Sequence, residues 1–424
     1  MSWRDVIEPV RMERIAVVAP TEQLQAVLLA VAAAGVVEPV CLPGHTGPTE
    51  IEAVTASSIR HLHVSALAAW TPASELPALA NALSKLGGSV VRRPTPRGMQ
   101  PPTLLTKGRA SGAFQPLVDT YSTVPYADMN PSIFAGVAYV LMFGMMFGDV
   151  GHGACLFLGG LLLYGGRPRV HARFRKAAPF VTGAGLTSAF FGLAYGEAFG
   201  PTGLVPTLWL APLSQPLTLM GAAIAVGAAF LSVSYALGTI NRWREGGFTR
   251  ALVALSGLAG IALYVGLALL GGGLYLRLAV AVTIGACLAT GGLLLAFVGL
   301  FAATEGGFSG VLEAGVELFD GIMRLATNTI SFARLAAFGM THAALSAIVW
   351  SATAALWNRG PAWWALAAVV FAVGNVVTFA LEALVAAIQA LRLEYYEMFS
   401  RIFVSPGRAF APWHIAPVSG KAST

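Results

Sequence analysis

Charge is what this sequence has least of. Only 11% of its 424 residues are Asp, Glu, Lys or Arg, while 56% are hydrophobic. Soluble domains carry about 25% charged residues, so the deficit excludes water as the solvent for most of the chain. Cysteine is scarce too. Cys41, Cys155 and Cys287 are single and far apart, which excludes a disulfide framework and a thiolate metal centre. No metal and no cofactor is expected. The chain has no Gly-x-x-x-x-Gly-Lys-[Ser/Thr] loop, and Gly420–Lys421 lacks the upstream glycine, so nucleotide hydrolysis by the chain itself is not expected. Met1 to Arg14 is charged and has no apolar run of the signal-peptide kind, so a cytoplasmic N-terminal part is expected.

What is present is unevenly distributed. Residues 1–128 mix charged and apolar residues as a soluble domain does. Met12–Val37 reads as a strand, a turn at Pro20, an amphipathic helix and a Gly35 stop. His63–Trp70, Ser74–Leu86 and Ser89–Arg92 read as strand, helix and return strand. Two small α/β lobes are expected, followed by a Pro- and Gly-rich linker over Pro94–Pro131. Residues 129–403 form a transmembrane domain, and 404–424 a cytoplasmic tail.

The expected fold is thus an α-helical polytopic membrane protein with a small N-terminal α/β domain. About eight spans are readable, at 131–148, 151–166, 178–199, 215–240, 251–271, 276–302, 326–357 and 363–403. The last would extend ~60 Å, twice the ~30 Å hydrocarbon core, so it must tilt or project. Arg167, Arg169, Arg173, Arg175 and Lys176 fill one loop and Arg242, Arg244 and Arg250 the next loop on that side. The loops at 200–214 and 271–275 have no Lys or Arg. That asymmetry is the positive-inside pattern with a cytoplasmic N-terminus. It also explains the net charge of +6 without nucleic acid as a partner. Trp350, Trp357, Trp363 and Trp364 cluster at the outer ends of the last two spans, as an aromatic belt does.

Ionisable groups inside spans are costly and mark pathways or pair with one another. Here they concentrate on the last two. Thr327, Ser331, Arg334, Phe338, His342 and Ser346 recur every three or four residues; Asn375, Glu382 and Gln389 recur every seven, with Thr378 and Arg392 three beyond two of them. Two facing polar stripes are expected. Arg334 and Arg392 reach similar depths, with His342 and Glu382 roughly 12–15 Å further out. Asp149, His152 and Glu197 lie on the outer side, while Glu313, Glu317 and Asp320 precede the penultimate span on the cytoplasmic side. Thr327, Ser331 and Ser346 have an ordinary alternative, bonding their own helix backbone. Arg392 has one in snorkelling, and Glu313 and Glu317 one as a solvated face. A structural Glu382–Arg392 pair is disfavoured by an azimuth offset of roughly 80°. A guanidinium stays charged at any relevant pH, so Arg334 would stand as a fixed cation between two titratable sets.

Three passages resemble the a subunit (subunit I) family of V-type rotary ATPases. PYADMNPSIFAGVAYVLMFGMMFGDVGHG (Pro125–Gly153) is similar to that family's first pair of spans, LATNTISFARLAAFGMTHAAL (Leu325–Leu345) to its penultimate span, and LEALVAAIQALRLEYYEMFSRIF (Leu381–Phe403) to its last. GLAYGEAFG (Gly192–Gly200) and AWTPASELPALANALSKLG extend the likeness over most of residues 64–403. The resemblance implies a stator subunit facing a proteolipid ring, with Arg334 as the essential arginine, Arg392 and Glu382 as its supporting polar residues and His342 on the outer path. Asp149, His152, Glu197, Asp320, Asn375, Gln389 and Ser331 would be half-channel residues. Each ring carboxylate would lose its ion on meeting Arg334, because a cation favours the carboxylate form. Implied partners are the ring, the central rotor and other subunits of the ATPase, peripheral-stalk subunits through the N-terminal domain, and lipid; the short soluble part and Ala/Gly/Arg-rich composition lead us to expect a prokaryotic cell membrane. The soluble part departs from the family in being shortened. Residues 38–62 are the only room for the family's coiled-coil arm, and they show no heptads.

Two other functions use the same charges. A secondary proton-coupled transporter would employ Glu382, Arg334 and Arg392, but the internal repeat usual in such folds is not visible. A non-conducting scaffold has no use for charges costing several kcal/mol in lipid.

Overall fold

A computed structural model describes residues 8–40, 50–96, 99–105, 109–165, 175–254, 256–403 and 407–414. Cys41, the loop arginines Arg167, Arg169 and Arg173, and Gly420–Lys421 lie outside the described residues. The chain divides into two compact units. One comprises Met1–Gly108, Ser122–Asn130 and Ser405–Thr424; the other comprises Arg109–Tyr121 and Pro131–Val404.

In the first unit, strand β1 (Met12–Pro20) alternates so that Ile15, Val17 and Ala19 face inward. Helix α1 (Leu24–Ala34) buries Leu24, Val27, Leu28 and Val31. It ends at Gly35, whose left-handed φ of 60° lets its N–H return to the Val31 carbonyl at 3.2 Å. After β2 (Glu38–Pro39), α2 (Glu50–Ala56) and β3 (Ile59–His61), the second half repeats the pattern as β4 (Val64–Pro72), α3 (Leu76–Ser84) and β5 (Ser89–Arg92). The two lobes expected from the sequence are one body. β1 pairs antiparallel with β4 from Met12↔Pro72 to Pro20↔Val64, giving the order β2-β4-β1-β5 with β3 on β4. A strand–helix–strand piece this small cannot bury its own apolar face, and joining the central strands lets both helices share one core. Val27, Val31, Leu67 and Leu83 form its centre. The segment 407–414 belongs here too. Arg408 Nη1 meets Glu38 Oε1 at 2.6 Å, and the Ala411 N–H donates to Glu38 Oε2 at 2.9 Å.

The second unit opens with α4 (Arg109–Tyr121), a helix where the Pro/Gly content suggested only linker. Its Phe114 ring covers Gly136 and meets Phe180 edge-on at 4.9 Å, and that burial outweighs the weak helix propensity. Helices α5 (Ser132–Met146), α6 (Val150–Gly165) and α7 (Ala178–Tyr195) occupy the first three expected spans. With 15 and 16 residues, α5 and α6 are shorter than the ~20 usual for a crossing. α6 and α7 pack backbone to backbone through glycines: a methyl at Gly185 would sit 2.6 Å from Phe157 Cα. Then come α8 (Pro216–Val253), broken at Gly247, α9 (Leu258–Leu276) and α10 (Ala279–Ala302). Among the described residues five helices are long and apolar enough to cross a membrane: Pro216–Glu245, Ala251–Leu276, Ala279–Ala302, Gly307–Trp357 and Pro361–Ile402. The chain is in this sense a multi-pass membrane protein.

The penultimate element is longer than expected. α11 (Gly307–Ser331) buries Gly310, Ala314, Leu318, Gly321 and Leu325 on one face and leaves Glu313, Glu317 and Asp320 exposed. It turns at Phe332 into α12 (Ala333–Trp357). The last helix, α13 (Trp364–Leu393), widens into a π-helical turn, Glu394–Phe399, before α14 (Ser400–Ile402). Trp357 and Trp364 stack at 4.8 Å where α12 gives way to α13, and Arg359 lies 5.3 Å from the Trp363 ring centroid, as anchors of an interfacial belt would.

Candidate functional site

The first cluster is built on the turn between α5 and α6. Asp149 precedes α6 and caps it, its Oδ1 accepting the His152 backbone N–H at 2.9 Å. The same Oδ1 accepts the Phe199 N–H at 3.0 Å, and Oδ2 the Gly200 N–H at 2.9 Å. Phe199 (φ 52°) and Gly200 (φ 94°) are both left-handed, and the carboxylate holds that strained loop in place. The Val150 N–H donates to the Glu197 carbonyl at 2.9 Å, closing the loop onto the turn.

That frame seats His152 among the rings of Phe147 (5.7 Å), Phe199 (5.2 Å) and Phe379 (5.7 Å), with the His342 ring 5.5 Å away. His342 Nδ1 is hydrogen-bonded to Glu382 Oε2, joining α12 to α13. Among the described residues Glu382 pairs with His342 rather than with Arg392. Glu197 lies within the electrostatic reach of His342, Asp149 and Glu382. Asn375 is buried on α13 at the same level. Several polar atoms here are buried and make no hydrogen bond: both ring nitrogens of His152, His342 Nε2, Glu382 Oε1, Glu197 Oε2 and Ser346 Oγ. Buried polar atoms are rarely left so, and a cluster of them suits a water chain or an ion. A cavity of about 190 Å³, lined by Phe338, Thr341, Leu345, Leu381 and Glu382 among others, opens beside the Glu382 carboxyl.

The second cluster starts two residues after the bend at Phe332, which is fully buried against Gly227. The bend puts Arg334 in the first turn of α12, half-buried, with Nη1 enclosed and unbonded. The Arg392 guanidinium is near enough to repel it. In the field of both is a residue that sequence reasoning missed. Glu397, on the π-helical turn, is within hydrogen-bonding reach of the Ser331 hydroxyl and in the field of Arg334, Arg392 and Arg401. Glu394, three residues earlier, is completely buried with neither carboxyl oxygen bonded. The signal was available as two acids three apart inside a long apolar helix. Gln389 has its Oε1 buried and unbonded one turn before Arg392.

The structure therefore gathers Asp149, His152, Glu197, His342, Asn375 and Glu382 into one group and Ser331, Arg334 and Arg392 into another. Asp320 forms an exposed 3.0 Å pair with Arg324 instead. Thr327 and Ser331 do bond their own helix, to Met323 O (2.8 Å) and Thr327 O (3.0 Å), whereas Ser346 does not.

Comparison with known proteins matches these features to one family. A profile of the V-type ATPase 116 kDa subunit family covers residues 56–218, which include the Asp149 turn and Glu197. The A-type ATP synthase subunit I of Pyrococcus horikoshii is 25% identical over 360 residues, 82% of this chain and 53% of that protein. Its counterpart from Halobacterium salinarum is 25% identical over 74% of this chain and 51% of its own length. The human V-type proton ATPase 116 kDa subunit a 3 is 34% identical over 155 residues, 33% of this chain and 19% of that protein. The chain spans about half the length of the archaeal relatives it matches. The buried turn at Asp149, the polar helices α12 and α13 and these likenesses point the same way: the chain is similar to the V-type ATPase 116 kDa subunit family.

Proposed function

We propose that the chain is the stator membrane subunit of a rotary ATPase, forming two ion half-channels against a ring of proteolipids. One observation carries the reading: two polar clusters occupy α12 and α13, a buried one around Glu382–His342 and a partly exposed one that holds the Arg334 guanidinium. Ser331, Glu397 and Gln389 belong to the cytoplasmic access, with Asp320 at its mouth. Glu382, His342, His152, Glu197 and Asn375 belong to the outer one, where Asp149 holds the loop that shapes it. A ring carboxylate leaving lipid meets Arg334 and releases its proton, since the adjacent cation stabilises the charged form. The proton leaves along one cluster, and the carboxylate is reloaded from the other. Arg334 separates the two, because a proton crossing directly would have to pass a permanent positive charge. Net transfer then requires the ring to turn.

The exposed stripe Val369, Val373, Val376, Leu384 and Ile388 on α13 is the surface for the ring in this reading. The N-terminal sheet unit faces the cytoplasm, as the loop charges imply, and is the place for peripheral-stalk contacts. The other subunits of the complex and a prokaryotic cell membrane complete the assignment. The test is cross-linking. Cysteines at Val376, Leu384 or Ile388, in membranes holding the assembled complex, should cross-link to a cysteine beside the proteolipid carboxylate. No cross-link from any of the three, with cross-links from α9 instead, would reject this face.

A further inference from the structure

We propose that His152, His342 and Asp149 form a binding site for one divalent transition-metal ion, of the Zn²⁺ class. One donor atom from each of the three lies within 4.8 Å of the others. The site comes from three places in the chain: the cap of α6, its first turn, and the middle of α12.

Each ligand is presented in the state a metal needs. Glu382 bonds His342 Nδ1. That fixes the ring so that Nε2 carries the lone pair, and Nε2 is buried and unbonded. A carboxylate behind a histidine in this way is the usual support of a metal-bound imidazole. His152 is 2% exposed and neither of its ring nitrogens is bonded. Its aromatic neighbours Phe147, Phe199 and Phe379 offer no acceptor or donor side chain; the polar groups that face the ring are the Asp149 carboxylate, 3.7 Å from Nδ1, and Asn375. The Asp149 carboxylate takes two N–H groups on Oδ1 and one on Oδ2, which leaves Oδ2 a free lone pair. Two imidazoles and one carboxylate make a three-ligand set whose fourth position is open to water. Zn–N and Zn–O bonds of about 2.0–2.2 Å put donors roughly 3.4 Å apart, so side-chain movements of about 1 Å close the site. Imidazole ligands favour Zn²⁺, Cu²⁺ or Ni²⁺ over Mg²⁺ and Ca²⁺. The buried carboxylates of Asp149, Glu197 and Glu382 supply the compensating charge.

Binding does not depend on the proposed function. If that reading holds, the ion sits on the outer half-channel groups and stops proton passage, so the same site is a point of inhibition by metal.

The test uses the purified full chain in detergent, with ZnCl₂ or CoCl₂ alone as the probe. One equivalent of Co²⁺ should give the intense visible bands of a four-coordinate site, displaced by Zn²⁺. Zn²⁺ X-ray absorption on the unmutated chain should show the scattering of two imidazoles. His152→Gln should weaken Zn²⁺ affinity about 10²-fold, and Asp149→Asn about tenfold, while Mg²⁺ gives no response. Octahedral Co²⁺ spectra, an oxygen-only shell or undiminished affinity in His152→Gln would overturn the site. All of these are read without pumping. A chain that binds Zn²⁺ but shows no metal-sensitive transport would keep the site and reject the half-channel reading.

Discussion

His342 and Glu382, 40 residues apart in sequence, form a buried side-chain pair that joins α12 to α13. Neither is more than 10% exposed. Removing one member leaves the other buried without its direct partner, and breaking such pairs costs roughly 3–5 kcal/mol. His342→Leu and Glu382→Leu should each lower unfolding stability in mixed micelles by that amount. The double variant should lose clearly less than the sum, because no polar group is left alone. Strict additivity in the cycle would mean that the pair is not coupled.

Asp149 is tied to three backbone amides as well as facing His152 Nδ1 at 3.7 Å, and hydrogen bonds to a charged group contribute about 1.5–3 kcal/mol each. Asp149→Ala should release the loop 196–203. Hydrogen exchange at the His152, Phe199 and Gly200 amides should rise together in this variant, with the α9–α10 hairpin unchanged. Unaltered exchange at all three would show that the loop is held by other means.

Much of this is legible in the primary structure, for identifiable reasons. Apolar runs and loop arginines outline the membrane unit because lipid imposes one rule on every span. Arg334 and Glu382 stand out because a charge inside an apolar run has no cheap alternative. The partner of Glu382 is not legible, since which residue faces it depends on where α12 crosses α13. Glu394 and Glu397 are visible as two acids in an apolar run, but the side that Glu397 faces is not: one extra residue in the π-helical turn rotates the downstream side chains by roughly 100°. Met12–Pro20 and Val64–Pro72 read as strands over most of their length, but their pairing is a long-range choice that neither strand encodes alone. The metal-ligand set is equally invisible, because Asp149–His152 and His342 meet only through the fold.

Glu397→Gln removes a titratable group beside Arg334 while keeping its shape. Transport by the assembled complex should fall by about 10²-fold, the lower range for a positioned proton-transfer group. Glu313→Gln, on the exposed face of α11, should transport normally. Equal behaviour of the two variants would remove Glu397 from the pathway.

Gly185 and Gly159 separate close packing from mere composition. A side chain at Gly185 runs into the Phe157 backbone, whereas Gly159 has nothing within 4 Å. Gly185→Val should lower stability by about 1–3 kcal/mol through overpacking, and Gly159→Val should change it little. Thermal unfolding of both in detergent checks this, and a tolerated Gly185→Val would mean that α6 and α7 do not pack as closely as described.

The central claim is that Arg334 is the fixed charge at the ion-transfer step. ATP-driven acidification of inverted membrane vesicles should be present with the unaltered chain and absent with Arg334→Gln, at matched assembly and with the proteolipid ring still co-purifying. Acidification that persists in Arg334→Gln, still dependent on the ring, would contradict the account.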